Sequence, residues 1–335
     1  MNLAHFPRRR YTHGFTPIEP LPRLSAALGG AEFWIKRDDL LGLAGGGNKT
    51  RKLEFLVADA LAQGADTLVT VGAPQSNHCR LTLAAAAREG LKCRLVIEER
   101  VAGSFDTAAL GNNLLFDLMG AHSVRMVPAG TDLAAEMTVD AAAVTAAGGV
   151  PYIIPGGGSN PLGALGYAAC AQEIMAQSFD MGLAFDRIVV ASGSAGTHSG
   201  LLAGLVALGA GNPVTGINVR RPRAEQEANV LKLAQQTATF MGAASPVADD
   251  VVALDDWVGP GYSLPSREMV AAVRMLARLE GVLLDPVYSG KAMAGLIGLA
   301  QRGEFAKGER VLFLHTGGSP SLSAFAGDLR NPELN

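Results

Sequence analysis

Cysteine is scarce in this chain of 335 residues, and neither sign of charge dominates. The three cysteines, Cys79, Cys93 and Cys170, form no Cys-x-x-Cys unit and no metal-ligand spacing, so no metal site is predicted. Such usage is typical of a reducing cytosol, and we expect a cytoplasmic protein. The net charge of −3 does not indicate a positively charged surface for nucleic acid, and we therefore do not expect nucleic acid as a partner.

Long apolar runs are also missing, so neither a membrane span nor membrane binding is predicted. The basic cluster Arg8-Arg9-Arg10 is not followed by the apolar segment of a secretory signal. Hydrophobic residues make up 48% of the chain and charged residues only 18%, which is typical of a compact, enzyme-like protein. A chain of this length has room for about two domains.

Strand-like and helix-like patterns alternate along most of the sequence. Strands separated by helices of this length indicate parallel βαβ units, and the predicted fold class is α/β and doubly wound, with the site at the carboxyl ends of strands. The glycine-rich stretch 156–161 interrupts the alternation and is interpreted as a hinge between domains. Strands are predicted at 33–37, 67–71, 92–97, 123–127, 151–154, 187–191, 213–219 and 311–315, and helices near 23–28, 50–63, 77–89, 108–119, 132–147, 161–178, 196–208, 222–241, 265–279 and 291–301.

Lys49 is the leading candidate for a reactive side chain. It follows Gly45-Gly46-Gly47-Asn48 and opens a helical pattern, which places its amine on a tight turn with little bulk around it. Gly42 and Gly47 have the spacing of a Walker A motif, but Asn48 stands where that motif needs its lysine. A purely structural turn is the other alternative. A lysine that forms a Schiff base with pyridoxal phosphate becomes the leading idea if the chain also supplies a phosphate cradle.

Such a cradle is predicted where the strand at 187–191 gives way to a helix. The stretch 192–200 is rich in glycine, serine and threonine, so its backbone N–H groups and the helix dipole can converge on a phosphate, with the Ser194 and Thr197 hydroxyls as further donors. It lacks the Gly-x-Gly-x-x-Gly pattern of dinucleotide folds, and the next strand ends at Arg220-Arg221 rather than at an acid. NADP binding and a packing-only glycine segment remain alternatives.

Three further polar loops border apolar runs. Ser76 or Asn77 can cap the helix that follows, or Ser76 can face a substrate while Asn77 donates to a ring oxygen. Tyr262 is either a packed loop aromatic or an acid-base hydroxyl. The loops at 285–291 and 315–320 are, taken separately, ordinary turns.

Five of these motifs together resemble the pyridoxal-phosphate enzymes of the tryptophan-synthase β fold (fold type II), and within it the D-cysteine desulfhydrase and aminocyclopropane-carboxylate deaminase family. The matching stretches are Gly-Gly-Asn-Lys-Thr-Arg-Lys-Leu-Glu at 46–54, Gln-Ser-Asn-His at 75–78, Gly-Ser-Ala-Gly-Thr at 193–197, Asp-Pro-Val-Tyr at 285–288 and His-Thr-Gly-Gly at 315–318. The likeness runs from Thr16 to about Phe325.

The resemblance implies a homodimer, a small doubly wound domain at 51–155 and a large one formed by 1–50 and 156–335. It implies that Lys49 carries pyridoxal 5'-phosphate and that Ser76, Tyr262 and Tyr288 take part in catalysis. The residues it implies for binding the cofactor are Lys49, Asn77, Gly193, Ser194, Ala195, Gly196, Thr197, Tyr288, Ser289 and Thr316. Those it implies for binding the substrate are Ser76, Asn77, His78, Tyr262 and Thr316.

The chain departs from the deaminase branch, which has a glutamate where Ser289 stands and a leucine where Thr316 stands. A hydroxyl beside the pyridine nitrogen supports a weaker electron sink than a carboxylate does, and this suits substrates with a good β leaving group. We therefore expect αβ-elimination of D-cysteine, with either Lys49 or Ser76 as the base. L-cysteate is the alternative substrate and aminocyclopropane-carboxylate a more distant one. Burying the sulfonate of L-cysteate needs paired donors or a cation, and Arg80 is the nearby candidate with a permanent charge. Its place on a predicted helix, however, favours a solvated surface group. An NADP-dependent oxidoreductase, a phosphate-loop NTPase and a catalytically silent homologue remain competing classes.

Overall fold

The structure is a computed structural model that describes residues 1–106 and 108–334. Its strands are β1 (Ile18–Pro20), β2 (Glu32–Lys36), β3 (Thr67–Gly72), β4 (Lys92–Glu99), β5 (Ser123–Pro128), β6 (Pro151–Ile153), β7 (Arg187–Ser192), β8 (Val214–Asn218), β9 (Val252–Leu254) and β10 (Arg310–Leu314). Its α-helices are α1 (Pro22–Leu28), α2 (Lys49–Ala62), α3 (Asn77–Glu89), α4 (Asn112–Leu118), α5 (Leu133–Ala146), α6 (Pro161–Met181), α7 (Gly196–Ala207), α8 (Arg223–Met241), α9 (Arg267–Glu280), α10 (Ser289–Gln301) and α11 (Ala326–Arg330).

The strands form two separate sheets. A six-stranded sheet has the order β1-β2-β10-β7-β8-β9, and a four-stranded sheet has the order β5-β4-β3-β6. All neighbouring strands are parallel except β1, which pairs with β2 in antiparallel register at the edge. The predicted α/β class with parallel sheets is therefore confirmed.

Helices cover both faces of each sheet, so the central strands are apolar on both sides, as parallel strands must be when both of their faces are buried. On the six-stranded sheet, α1, α9 and α10 pack against one face and α6 and α7 against the other. On the four-stranded sheet, α2 and α3 cover one face and α5 the other. The strand carboxyl ends are left free of this packing, and polar loops occupy them.

The loop before α2 is the tightest of these connections. Gly45, Gly46 and Gly47 all have positive φ, at 79°, 72° and 131°. A Cβ on Gly46 would stand 1.7 Å from the carbonyl oxygen of Asp39, so no other residue fits there. The backbone N–H of Asn48 donates to the carbonyl of Thr316, which ties this loop to the end of β10. Lys49 is thereby held at the first position of α2, as predicted.

The differences from the predicted elements are small. The strands β1 and β9, of three residues each, were not predicted. The short strand β6 was predicted because it falls within the regular alternation of helices and strands, whereas β1 lies in a proline-rich segment before that alternation begins. The helix predicted at 108–119 begins at Asn112, after a Gly111 with φ of 76°, and residue 107 lies outside the described residues. Among the helices described, none combines the length and the apolar character needed to cross a membrane.

Candidate active site

A cavity of about 280 Å³ opens where the carboxyl ends of strands from both sheets face each other. Gly72 at the end of β3 and Arg100 after β4 line it from the small sheet. Gly193, Arg220 and Thr316, which follow β7, β8 and β10, line it from the large sheet. The site therefore lies at the strand ends, as the doubly wound pattern predicts.

Most of the predicted site residues meet in this cavity. Asn77, Gly196 and Ser289 do not line it, but each is next in sequence to a residue that does. Ten of the predicted residues line the cavity directly: Lys49, Ser76, His78, Gly193, Ser194, Ala195, Thr197, Tyr262, Tyr288 and Thr316.

Lys49 brings a buried amine to the cavity. Its Nζ lies 5.0 Å from the centre of the Tyr288 ring, in cation–π geometry. Burial, assisted by the nearby Arg80 charge and opposed by Asp285, lowers the pKa of Lys49 to about 8. A lysine amine must lose its proton before it can act as a nucleophile or a base, and this environment makes that loss easier.

The loop between β7 and α7 forms an anion cradle. The N–H groups in the first turn of α7 have no partners within the helix, and the helix dipole points its positive end at the same place. Ala195 has a φ of 72°, a conformation uncommon outside glycine that is held here at the helix start. Ser159 donates its hydroxyl proton to Ser194 Oγ at 2.9 Å and accepts from the N–H of Gly196 at 3.2 Å. Asn48 Nδ2 donates to Thr197 Oγ1 at 2.8 Å, which connects the cradle to the lysine loop.

Lys52 is a functional candidate that the sequence did not single out. Its side chain is 1% exposed, and its Nζ donates to the carbonyl of Gly157 at 3.0 Å. A Cβ on Gly196 would stand 2.9 Å from that Nζ, so the amine lies beside the positive end of α7. Burial and the charge of Lys49 keep the pKa of Lys52 well below its ordinary value. Among the residues described, no carboxylate pairs with Lys52, so a bound phosphate would supply the missing negative charge.

Ser76, Asn77 and His78 form the start of α3. Ser76 Oγ accepts from the N–H of Cys79 at 3.1 Å, so the residue caps the helix while it lines the cavity. Asn77 Oδ1 accepts from Asn112 at 2.8 Å and from Arg80 at 3.4 Å. Within the described residues Asn77 Nδ2 has no hydrogen-bond partner, and this orientation presents it as a donor.

His78 is neutral and its tautomer follows from its contact. Thr70 Oγ1 donates its proton to the carbonyl of Ile154 at 2.8 Å, so it must accept from His78 Nε2, also at 2.8 Å. Burial, with the charges of Lys49 and Lys52, keeps the pKa of His78 well below its ordinary value. His78 is therefore not a cation available to an anionic substrate.

Tyr262 and Tyr288 share a hydrogen bond of 2.5 Å between their hydroxyl oxygens. Burial raises the pKa of both groups, and the Tyr262 hydroxyl raises that of Tyr288 further, so both keep their protons at neutral pH. The two hydroxyls share one hydrogen bond, which leaves one proton free to point toward a bound molecule. The pair can thus act as a proton donor in the cavity.

Ser289 is fully buried and does not reach the cavity. Its Oγ donates to Asp285 Oδ1 at 2.7 Å and accepts from the N–H of Asp285 at 2.8 Å. The role of Ser289 at the pyridine nitrogen therefore stays a prediction. Thr316 lines the cavity and is 6% exposed.

Arg80 is buried, so the expectation that it is a solvated surface group is wrong. Its side chain has no exposed surface, and it donates to the carbonyls of Ala44 and Gly46, the second at 3.1 Å. Three other arginines, Arg100, Arg220 and Arg221, line the cavity instead. Their positions directly after β4 and β8 were the signal available in the sequence, because side chains at strand ends converge in this fold.

Arg100 and Arg220 differ in how much of their charge is compensated. Arg100 forms an ion pair with Glu98, and its guanidinium lies 4.8 Å from the centre of the Tyr262 ring. Arg220 is exposed and, in the part of the chain that the structure describes, has no carboxylate within ion-pair distance. Arg221 donates to the carbonyl of Gly193 at 2.8 Å and pairs with Glu225. The cavity mouth consequently favours anions.

The donors present fit pyridoxal 5'-phosphate. A phosphate would accept from the first turn of α7 and from Lys52, a ring oxygen would accept from Asn77 Nδ2, and an aldehyde carbon would bond to the Lys49 amine. The described residues include no cluster of His, Cys, Asp and Glu that could hold a metal ion. The arrangement suits a phosphorylated cofactor that bonds covalently to lysine.

Known proteins resemble this chain closely. A family model described as pyridoxal-phosphate dependent enzyme matches residues 10–317. Curated proteins named D-cysteine desulfhydrase from Yersinia enterocolitica serotype O:8 and Klebsiella pneumoniae subsp. pneumoniae are each 48% identical to it. These matches cover 96% and 97% of this chain and 97% and 98% of the relatives.

Solved structures agree with these matches. The crystal structure of an ACC deaminase homologue is 38% identical, has a TM-score of 0.90, and aligns over 99% of this chain and 98% of its own. The crystal structure of O-ureido-L-serine synthase is 20% identical, has a TM-score of 0.63, and aligns over 93% of this chain and 92% of its own. The second likeness concerns the fold alone.

Proposed function

The chain belongs to the pyridoxal-phosphate-dependent enzymes, and we propose that it is a carbon-sulfur lyase that converts D-cysteine to pyruvate, ammonia and hydrogen sulfide. The observation that carries this proposal is the Lys49 amine, whose pKa is about 8, in the same cavity as the anion cradle of α7. The substrate is inferred from the relatives named D-cysteine desulfhydrase, which are 48% identical to this chain.

We propose that Lys49 holds the cofactor covalently, that residues 193–197 and Lys52 bind its phosphate, and that Asn77 donates to its ring oxygen. When bound, the cofactor would supply an electron sink for the α carbon of the substrate, which would weaken the α C–H bond and allow the β sulfur to leave. Burial around Lys49 and Lys52 excludes water from the reacting atoms.

The remaining steps are assigned to residues of the cavity wall. Either Lys49 Nζ or Ser76 Oγ takes the α proton, since both line the cavity and Lys49 has a lowered pKa. The Tyr262 and Tyr288 hydroxyl pair keeps its protons at neutral pH and can donate one to the departing sulfur. We assign Thr316 and His78, which also line the cavity, to substrate binding.

L-cysteate is a second candidate substrate, and the arginines at the cavity favour it. Its sulfonate adds an anion to the α carboxylate, and burying that charge needs a cation or paired donors. Arg220 has no ion-pair partner among the described residues, and Arg100 lies over the Tyr262 ring. Arg80 cannot serve this purpose, because it is fully buried and bonded to backbone carbonyls.

A paired assay separates the two candidates. Purified enzyme loaded with cofactor is given D-cysteine or L-cysteate, and sulfide and sulfite are measured alongside pyruvate. We expect higher kcat/KM with D-cysteine and little change in it for Arg220→Gln. Arg223→Gln is the matched control, since Arg223 is exposed on α8 and does not line the cavity.

The opposite results are equally informative. Higher efficiency with L-cysteate that is lost in Arg220→Gln, and kept in Arg223→Gln, would replace the desulfhydrase proposal with a sulfo-lyase. Turnover of neither compound, together with turnover of aminocyclopropane-carboxylate, would favour the deaminase. No turnover of any of the three would favour a protein that only binds its ligand.

We further propose a cytoplasmic homodimer with a small domain at 51–155 and a large domain at 1–50 and 156–335. The homodimer rests on the family resemblance. The location rests on the cysteines, all of which are buried free thiols. The domain division is supported by the two separate sheets, since β3 to β6 lie in the small segment and the other strands in the large one.

A further inference from the structure

The loop that carries Tyr262 has little internal structure to hold it in place. Residues 258–263 belong to no helix or strand. Gly259, Gly261 and Ser263 have φ values of 67°, 154° and 64°, so half of the loop lies in the left-handed range. Tyr262 nevertheless places its hydroxyl 2.5 Å from that of Tyr288, across a gap in sequence of 26 residues. Something outside the loop must fix this geometry.

Lys291 on α10 provides that support. Its side chain has no exposed surface, and its Nζ donates to the carbonyl oxygens of Val258 and Gly261 at 2.6 Å each. These carbonyls bracket the part of the loop just before Tyr262. Lys291 also lies three residues after Tyr288, so one side chain connects the backbone next to Tyr262 with the helix that follows Tyr288.

A lysine at this buried position is energetically unfavourable unless its amine is hydrogen-bonded. Burying an ammonium group costs several kcal/mol unless its protons are bonded, and in the described residues no carboxylate lies within ion-pair distance of Lys291. Burial accordingly lowers the pKa of Lys291 to about 8, although the charge of Asp285 opposes the change. A methionine of similar length would avoid this penalty, but it would leave the part-buried carbonyl of Val258 without this donor and that of Gly261 with only the N–H of Leu264 at 3.3 Å. The lysine is explained by the need to hold the loop.

We propose that Lys291 is a positioning residue, which sets the hydroxyl of Tyr262 against that of Tyr288 by anchoring the carbonyls of Val258 and Gly261. This inference rests on the proposed function only in its catalytic consequence, because the anchoring itself is a property of the fold. Lys291 does not line the cavity and acts through Tyr262.

The first test measures the loop directly. Hydrogen-deuterium exchange is followed in wild-type holoenzyme and in Lys291→Met, with Lys307→Met as control because Lys307 is an exposed lysine. We expect faster exchange in peptides covering 256–264 of Lys291→Met and no change in the control. Unchanged exchange in that segment would overturn the anchoring. Should Lys291→Met fail to fold, Lys291→Gln, which keeps one donor group, is measured instead and should show a smaller increase.

The second test is kinetic and uses Tyr262→Phe as background. Because a misplacement of about 1 Å can lower a rate by about 100-fold, we expect kcat of Lys291→Met to fall by about 10- to 100-fold, with the absorption of the bound cofactor unchanged. In Tyr262→Phe the same substitution should lower kcat no further, and Lys291→Arg should recover part of the loss. Equal losses in both backgrounds would refute action through Tyr262. A wild-type enzyme without lyase activity would refute the proposed function and leave the exchange test valid.

Discussion

At the scale of single residues, Ser76 combines a structural contact with a place in the cavity. Its Oγ accepts from the N–H of Cys79, which is the capping role considered for it, and it also borders the space where the substrate would lie. Accepting that bond occupies one lone pair of Oγ and leaves the second lone pair and the hydroxyl proton free, so capping and proton transfer are compatible. To separate the two roles, a variant of Ser76 must be compared with a variant of a serine that caps a helix but does not line the cavity.

We predict that Ser76→Ala keeps the absorption spectrum of the bound cofactor but lowers kcat by about 10²- to 10⁴-fold, as expected for a group that transfers protons. Ser266→Ala is the matched control, since Ser266 caps α9 through the N–H of Met269 and does not line the cavity. Both variants should lose about 1 kcal/mol of stability from the missing cap. Similar stability losses with normal kcat in both would mean that Ser76 is only a helix cap.

Most of the residues predicted from the sequence line the cavity, because each belongs to a short motif at a strand end. Lys49, Ser76 and Tyr288 are of this kind. The sequence did not single out Lys52 or Arg100, because neither has a motif of its own. Only the structure shows that Lys52 is buried and that Arg100 lines the cavity. The environment of Arg80 was misjudged for the same reason, because nothing in a helical pattern shows that a long side chain turns inward to bind carbonyls.

At the scale of elements, α2 and α7 together form the phosphate site that we propose. The first turn of α7 supplies N–H groups and the positive end of a dipole, and Lys52 from α2 adds a buried amine beside it. Without an anion these positive groups oppose one another. With a phosphate present, each becomes a donor to the same negative charge.

This arrangement predicts that replacing Lys52 weakens cofactor binding without destabilising the cofactor-free protein. Lys52→Met should raise the dissociation constant for pyridoxal 5'-phosphate by about 10- to 100-fold, which corresponds to a charged hydrogen bond of about 1.5 to 3 kcal/mol. It should also leave the cofactor-free protein at least as stable as wild type, because a buried amine is removed. Equilibrium dialysis and thermal unfolding of the cofactor-free protein measure the two quantities.

The control for this prediction is Lys232→Met, an exposed lysine on α8. It should change neither quantity. A Lys52→Met protein with normal cofactor affinity would exclude Lys52 from the phosphate site. One whose cofactor-free form is markedly less stable would show that the lysine mainly supports the Gly157 backbone, to which it donates.

The helices and strands were the best predicted feature of this chain. Long helices and buried parallel strands have many residues that report the same periodicity, so α3 and α8 were predicted to within a residue. Strand order could not be predicted from those patterns, because β10 inserts between β2 and β7 from the far end of the chain. The resemblance to fold type II enzymes predicted the fold class, which the ACC deaminase homologue confirms, but no strand order was predicted.

At the scale of the whole molecule, α2 connects the two sheets. Leu53 and Leu56 pack into the core of the small sheet. On another side of the same helix, Arg51 donates to Asp38, just after β2, and to Glu173 on α6. The helix that begins with Lys49 is thus fixed to both halves of the cavity. The domain division at residue 51, which stays a prediction, would fall within this helix.

The polar side of that connection is a buried ion network. Glu173 accepts from Arg51 at 2.7 Å and from Lys36 at 2.5 Å. Burial alone would raise the pKa of Glu173, but the hydrogen bond and charge of Arg51, with the charge of Lys36, lower it below its ordinary value. Burial is overcome in the same way for Asp38, whose pKa is lowered chiefly by Arg51. A carboxylate with a lowered folded pKa contributes stability that is present above its unfolded pKa and is lost as the pH falls through the folded value.

We therefore predict that Glu173→Gln lowers the free energy of unfolding by about 3 to 5 kcal/mol at pH 7, because it leaves two buried cations with less compensation. The difference from wild type should shrink as the pH falls below about 4, where the unfolded carboxylate takes up its proton. Glu32→Gln is the control, since the Glu32 pair with Arg310 is exposed and should contribute at most about 1 kcal/mol. Urea unfolding between pH 3 and 8, at fixed cofactor concentration, measures these differences. Equal losses in the two variants, or a loss in Glu173→Gln that does not depend on pH, would show that hydrophobic packing rather than the ion network joins α2 to the large sheet.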